Sequence, residues 1–130
     1  MKRHVALQQL SREHHQALKL ARLACFAADA GLSEAISQAA ATITEHFPDE
    51  LETHFRTEEE DLLPALSTLG EQTLVDRTLA EHHELRQLNA RLGQPDANTL
   101  ARFGNLLRDH VRFEERELFE TAQDLLYPGE

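Results

Sequence analysis

The stretch Leu51–Leu66, LETHFRTEEEDLLPAL, places His54 and Glu58 four residues apart inside an otherwise apolar helical pattern. A second stretch, Leu107–Ala122, LRDHVRFEERELFETA, repeats it. Aligned on His54 and His110, both carry leucine three residues before, arginine two after, glutamate four and five after, and leucine eight after. The duplication continues upstream, where Glu13-His14-His15 precedes the first copy and Glu81-His82-His83 the second. One helical hairpin is used twice. His14 precedes His54 by 40 residues and His82 precedes His110 by 28, so the first hairpin holds extra length or a bend, expected at Pro48.

Gly31, Gly70 and Gly93 fall where the apolar period breaks, as helix-ending glycines do, and Pro128-Gly129 closes the last segment. The spacing predicts helices over Val5–Ala30, Ser33–Leu69, Glu71–Leu92 and Asn98–Leu126. Aromatic and β-branched residues never alternate with polar ones over a strand's length, so no sheet is expected. Short connections make consecutive helices antiparallel neighbours. The fold class is therefore all-α, an up-down-up-down antiparallel four-helix bundle forming one domain over residues 1–130. Gly104, inside the fourth helix, costs about 1 kcal/mol relative to alanine unless close packing requires it.

At about 100° per residue, direction separates the histidines. In the first helix the apolar stripe runs Leu7, Leu10, His14, Ala17, Leu18, Ala21, Cys25 and Ala28, while His15 shares its face with Arg12, Lys19 and Arg22. In the third it runs Val75, Thr78, His82, Leu85, Leu88 and Leu92, with His83 outside. The second helix aligns Ile43, Phe47, Leu51, His54, Glu58, Leu62 and Ala65, and the fourth aligns Phe103, Leu106, Leu107, His110, Glu114, Leu118 and Leu125. Four histidines and two glutamates thus point at one axis, and counting from the turns puts most of them at a similar depth.

A His-x-x-x-Glu spacing alone is weak: with this many histidines and glutamates chance supplies about one pair, and three occur. The third, His46 with Glu50, lies toward solvent or the rim on a regular helix. What distinguishes the other two is inward direction, common depth and pairing with further histidines. A buried carboxylate without compensation costs several kcal/mol. Cations held between the helices would offset both acids, with neutral imidazoles completing their coordination. The imidazole and carboxylate set suits iron, with manganese or zinc as substitutes, and each glutamate could bridge two metals.

Composition narrows the function classes. A net charge of −10 opposes a nucleic-acid partner, since Lys2 and Arg3 form the nearest approach to a basic cluster. No apolar run is long enough for a membrane span, and with a single cysteine no intrachain disulfide forms, which fits a cytoplasmic setting. Cys25 reads as a core residue. Glu59, Glu60, Glu115 and Glu117 read as surface or supporting acids, with Glu59 or Glu117 available to complete a metal's coordination, and Phe47, Phe55, Phe113 and Phe119 as packing around the site.

From His14 through HFRTEEEDLLPAL to HVRFEERELF the chain resembles the hemerythrin-like, or HHE cation-binding, domains: four-helix bundles holding a non-haem di-iron centre. The resemblance implies His14, His54, Glu58, His82, His110 and Glu114 as iron ligands, with Glu58 and Glu114 bridging two irons that share an oxo or hydroxo group. The chain departs from the oxygen-carrying members at two positions. Arg86 stands where they have a second third-helix histidine, and Glu115, beside Glu114, where they have an aspartate. The expectation is a monomer or homodimer that binds or senses a diatomic or peroxide ligand. A di-iron oxidase and a metal-free helical interaction bundle are the alternatives.

Overall fold

The computed structural model describes residues 3–129, so Lys2 of the N-terminal basic pair lies outside the described residues. Four rods form. The first, α1, is Val5–Ala30. The second, α2, spans 33–68 without a break. It is α-helical at Ser33–His46, Thr53–Thr57 and Leu63–Thr68, with wider π-helical turns at Phe47–Glu52 and Glu58–Leu62. The third, α3, is Gln72–Arg91. The fourth, α4, spans 97–126, α-helical at Ala97–Phe113 and Phe119–Leu126 and π-helical at Glu114–Leu118. No strand occurs among the described residues, and no helix among them is long and apolar enough to cross a membrane.

The rods end where the glycines direct, with one exception. Gly31 (φ 72°) closes α1, its amide bonding the Ala27 carbonyl at 3.2 Å. Gly70 (φ 90°) closes α2, and the Glu71 amide reaches back to the Leu66 carbonyl at 3.0 Å. Gly93 departs from expectation because its φ is not positive. The α3–α4 turn is instead closed by the amides of Leu92 and Gln94 on the carbonyls of Asn89 and Arg91, both at 3.1 Å. Asp96 then caps α4, accepting from the Thr99 amide at 2.8 Å.

Pro48 does not split α2. It sits in the first wide turn, where the Thr53 hydroxyl donates to its carbonyl at 3.1 Å, and the wide turn absorbs the extra length. The other two wide turns start on Glu58 and Glu114 themselves. The amides of Leu63 and Phe119 bond the carbonyls of Glu58 and Glu114, five residues back. Each such turn inserts one residue into the helical period and advances the register beyond it. A uniform period places Ala65 and Leu125 in the core. Leu66 is fully buried instead, and Leu126 packs inward while Leu125 is 43% exposed.

Two apolar layers fill the bundle, one toward each end. The larger includes Ala17, Leu20, Ala24, Ile43, Phe47, Phe55, Leu85, Leu100, Phe103 and Leu107; the smaller includes Leu7, Leu10, Leu63, Leu66, Val75, Phe113, Leu118 and Phe119. In α1, Leu20, Ala24 and Ala27 complete the buried face, while Cys25 and Ala28 lie half-buried at its edge. Small residues let α1 and α4 approach closely. A Cβ on Gly104 would stand 2.6 Å from Cys25 Sγ and 2.9 Å from the Ala21 carbonyl oxygen, so close packing explains that glycine.

Candidate metal centre

Between the two apolar layers lie the six polar side chains singled out by the helical periodicity. His14, His54, Glu58, His82, His110 and Glu114 are all buried, at 4% exposure or less. The first helix joins the same level as the others: the His14 and His54 rings lie 4.9 Å apart, as do those of His82 and His110. His15 and His83, one residue along, are exposed. His46 lies on the surface, 3.5 Å from Glu50.

The six fall into two sets, His14–His54–Glu58–Glu114 and Glu58–His82–His110–Glu114, within each of which the donor atoms lie inside 4.8 Å of one another. Both glutamates belong to both sets. Glu58 turns Oε2 toward His54 Nε2 (3.1 Å) and Oε1 toward His82 Nε2 (3.0 Å). Glu114 turns Oε1 toward His14 and His54 Nε2 (2.8 and 3.5 Å) and Oε2 toward His110 and His82 Nε2 (3.0 and 3.7 Å). Each carboxylate therefore offers one oxygen to either half of the centre, as a bridging ligand does.

The outer nitrogens carry a second ring of acids. Glu13 of α1 meets His54 Nδ1 at 2.8 Å, and Glu59 of α2 meets His82 Nδ1 at 2.7 Å. Glu81 of α3 meets His110 Nδ1 at 2.7 Å, and Glu115 of α4 meets His14 Nδ1 at 2.6 Å. Each helix thus orients the histidine of the next, and the ring closes. A carboxylate at Nδ1 makes that nitrogen the donor, which leaves Nε2 of a neutral imidazole as a lone pair facing inward.

His14 Nε2 is hydrogen-bonded to Glu114 Oε1 at 2.8 Å, and the other inward nitrogens and oxygens form a buried set of acceptors without donors. Nε2 of His54, His82 and His110, both oxygens of Glu58 and Oε2 of Glu114 make no aligned hydrogen bond despite their short separations. Positive charge is what the cluster lacks. Burial alone would push the imidazoles down, but the acids outweigh it. Glu58, Glu114 and Glu13 raise His54 to about 12, and Glu114, Glu81 and Glu58 raise His110 to about 10. His14 and His82 are also raised, by the proximity of Glu114 first and then of Glu115 and Glu58 respectively. Burial works against Glu114, yet the surrounding histidines, His110 foremost, hold its carboxyl well below the usual carboxylate range. Protons or metal cations satisfy the same electrostatic demand, and the mixed nitrogen and oxygen donor set fits a transition ion.

Aromatic rings wall the centre. Phe55 stacks on His82 at 4.0 Å and Phe119 on His14 at 5.3 Å, while Phe113 lies 6.4 Å from His110. Glu117 is on the surface near Arg77, and Glu59 serves His82 Nδ1, so neither joins the inner cluster. Arg86 bonds Glu52 and Glu59. Sequence reasoning missed the roles of Glu13 and Glu81. Their signal was present in the repeated Glu-His-His, whose glutamate faces the neighbouring helix rather than its own.

The fold and the site together define an antiparallel helical bundle whose buried histidines and glutamates can hold cations. The chain belongs to a family of that description, since the Hemerythrin HHE cation binding domain matches residues 5–122 of its 130. No curated protein and no solved structure matches it.

Proposed function

We propose that the chain is a non-haem di-iron module whose carboxylate-bridged centre, with His14, His54, Glu58, His82, His110 and Glu114 as ligands, binds or senses O₂, NO or redox state. The observation that carries this reading is the pair of donor sets sharing both glutamates, each glutamate with one oxygen toward either set. Two imidazoles and two shared carboxylates per ion favour iron over thiolate-bound structural zinc, and Cys25 is not among the donors. Iron bound there would supply one-electron chemistry with coordination positions free for a small ligand.

The protein's own part is positioning and exclusion. The outer carboxylates fix the imidazole tautomers, and the phenylalanines keep bulk water off the imidazole faces. Arg86 is a cation with no lone pair to offer, which leaves two imidazoles in each set and favours sensing or redox response over oxygen storage.

Protein from iron-supplemented cells should carry about two irons per chain and a visible band that changes with O₂, NO or dithionite, both lost in Glu114→Ala, with the iron halved in His54→Ala. Colourless protein whose melting ignores chelators would mark a metal-free bundle. Manganese or zinc in place of iron would keep the cation site and end the redox reading. Sustained turnover of reductant under O₂ or peroxide would make it an oxidase.

A further inference from the structure

Behind the two stacked histidines stands the same assembly, built from unrelated parts of the chain. Arg86 forks onto Glu59 (Nη1 to Oε2 2.9 Å, Nη2 to Oε1 3.1 Å), and Glu59 holds His82 Nδ1 at 2.7 Å. Its guanidinium also lies 5.5 Å from the centre of the Phe55 ring that stacks on His82. A second fork, to Glu52 at 2.8 and 2.9 Å, anchors the arginine to α2. Across the centre, Arg3 stands 3.3 Å from Glu115 Oε1 and donates to the Glu115 carbonyl at 2.6 Å, while Glu115 holds His14 Nδ1 at 2.6 Å. Arg3 likewise lies 5.6 Å from the Phe119 ring that stacks on His14.

An arginine thus contacts the carboxylate at Nδ1 and the ring stacked on the face of one histidine in each half of the centre; Arg77, 3.1 Å from Glu81 and 3.9 Å over Phe113, stands near His110 in a related way, but Phe113 is tilted against that imidazole rather than stacked on it. Arg86 comes from the helix of its own histidine, and Arg3 from the segment before α1. The repeat in the sequence does not produce this match, because neither arginine has a counterpart at the equivalent position of the other hairpin. Position 18, four residues after His14 as Arg86 is after His82, holds leucine.

We propose that Arg86 and Arg3 are positioning residues for separate cations. Arg86 sets His82 for the ion held by His82 and His110, and Arg3 sets His14 for the ion held by His14 and His54. Each arginine fixes its glutamate in place against Nδ1, so that Nδ1 stays the donor and Nε2 the ligand. This rests on the two-cation reading above.

The test is titration of metal-stripped protein with Co(II), followed by its visible absorption and by equilibrium dialysis. In wild type about two Co(II) bind per chain. Arg86→Met should leave one ion unchanged and weaken the other about 10- to 100-fold, the range for loss of an outer-shell partner. In the His14→Ala background, which isolates the His82–His110 ion, Arg86→Met should weaken binding and Arg3→Met should not. In the His82→Ala background the two effects should exchange. If wild type takes up no Co(II), the two-cation reading falls and this proposal with it. If wild type binds two ions but each arginine weakens both equally or neither at all, only the assignment of the arginines is overturned.

Discussion

The two halves of the centre have the same inner atoms and different outer ones. Each presents two imidazole Nε2 atoms and one oxygen from each of Glu58 and Glu114. Around His82 and His110, the orienting acids Glu59 and Glu81 are both paired with arginines of α3, Arg86 and Arg77 at 2.9 and 3.1 Å. Around His14 and His54, Glu115 depends on Arg3 and on the Ser11 hydroxyl at 2.9 Å, and Glu13, among the described residues, is backed by the neutral Gln9 amide at 3.1 Å. One half is supported from within a helix, the other partly by the chain's N-terminal segment. Equivalent ligands need not give equivalent sites, because the supports set how firmly each imidazole is aimed.

The largest effect is expected where the halves are joined. Glu114→Ala removes an oxygen from both sets and should abolish binding at both, read as metal content per chain. Next, stripping the cations from wild type should lower stability, by about 2.7 kcal/mol for each ion that was present at a hundred times its Kd, read by denaturant unfolding. That loss should grow with pH. In the stripped protein the histidines are raised above their ordinary 6.5, so the stability from their protonation is complete below pH 6.5. It is lost as pH rises through about 10 for His110 and about 12 for His54. Metal binding requires the deprotonated imidazoles and strengthens over the same range.

Single-half variants separate the two sides. His54→Ala and His82→Ala should each leave one ion, and the ion left by His54→Ala, with both arginine-backed acids around it, should be harder to remove with a chelator. Smaller effects lie away from the centre. Gly104→Ala drives a methyl against Cys25 and the Ala21 carbonyl, should cost about 1–3 kcal/mol in thermal unfolding, and should leave metal content unchanged. Gly93→Ala should fall within about 0.5 kcal/mol, because a Cβ there meets only the Ala90 carbonyl oxygen at 3.7 Å.

Most of the fold and the whole inner cluster were legible in the residues. A 3.6-residue period separated His14 from His15 and His82 from His83, and the structure keeps both distinctions. What escaped were departures from that period. The wide turns at Glu58 and Glu114 carry no proline or glycine at their first residue, and a uniform rotation misplaced Ala65 and Leu125 beyond them. The outer ring escaped for another reason. Glu13 reaches His54, 41 residues away, and Glu115 reaches His14, 101 away, and such pairs become visible only once the helices are placed side by side. Arg3 is more distant still from Glu115 in sequence and belongs to no repeat.

The most direct measurement is the number of transition ions bound per chain after metal-stripped protein is dialysed against Fe(II) without oxygen. About two per chain, falling to none in Glu114→Ala, is the result expected of two donor sets that share both glutamates. Protein that retains no ion in wild-type form would contradict it, leaving the six converging side chains held together by protons alone.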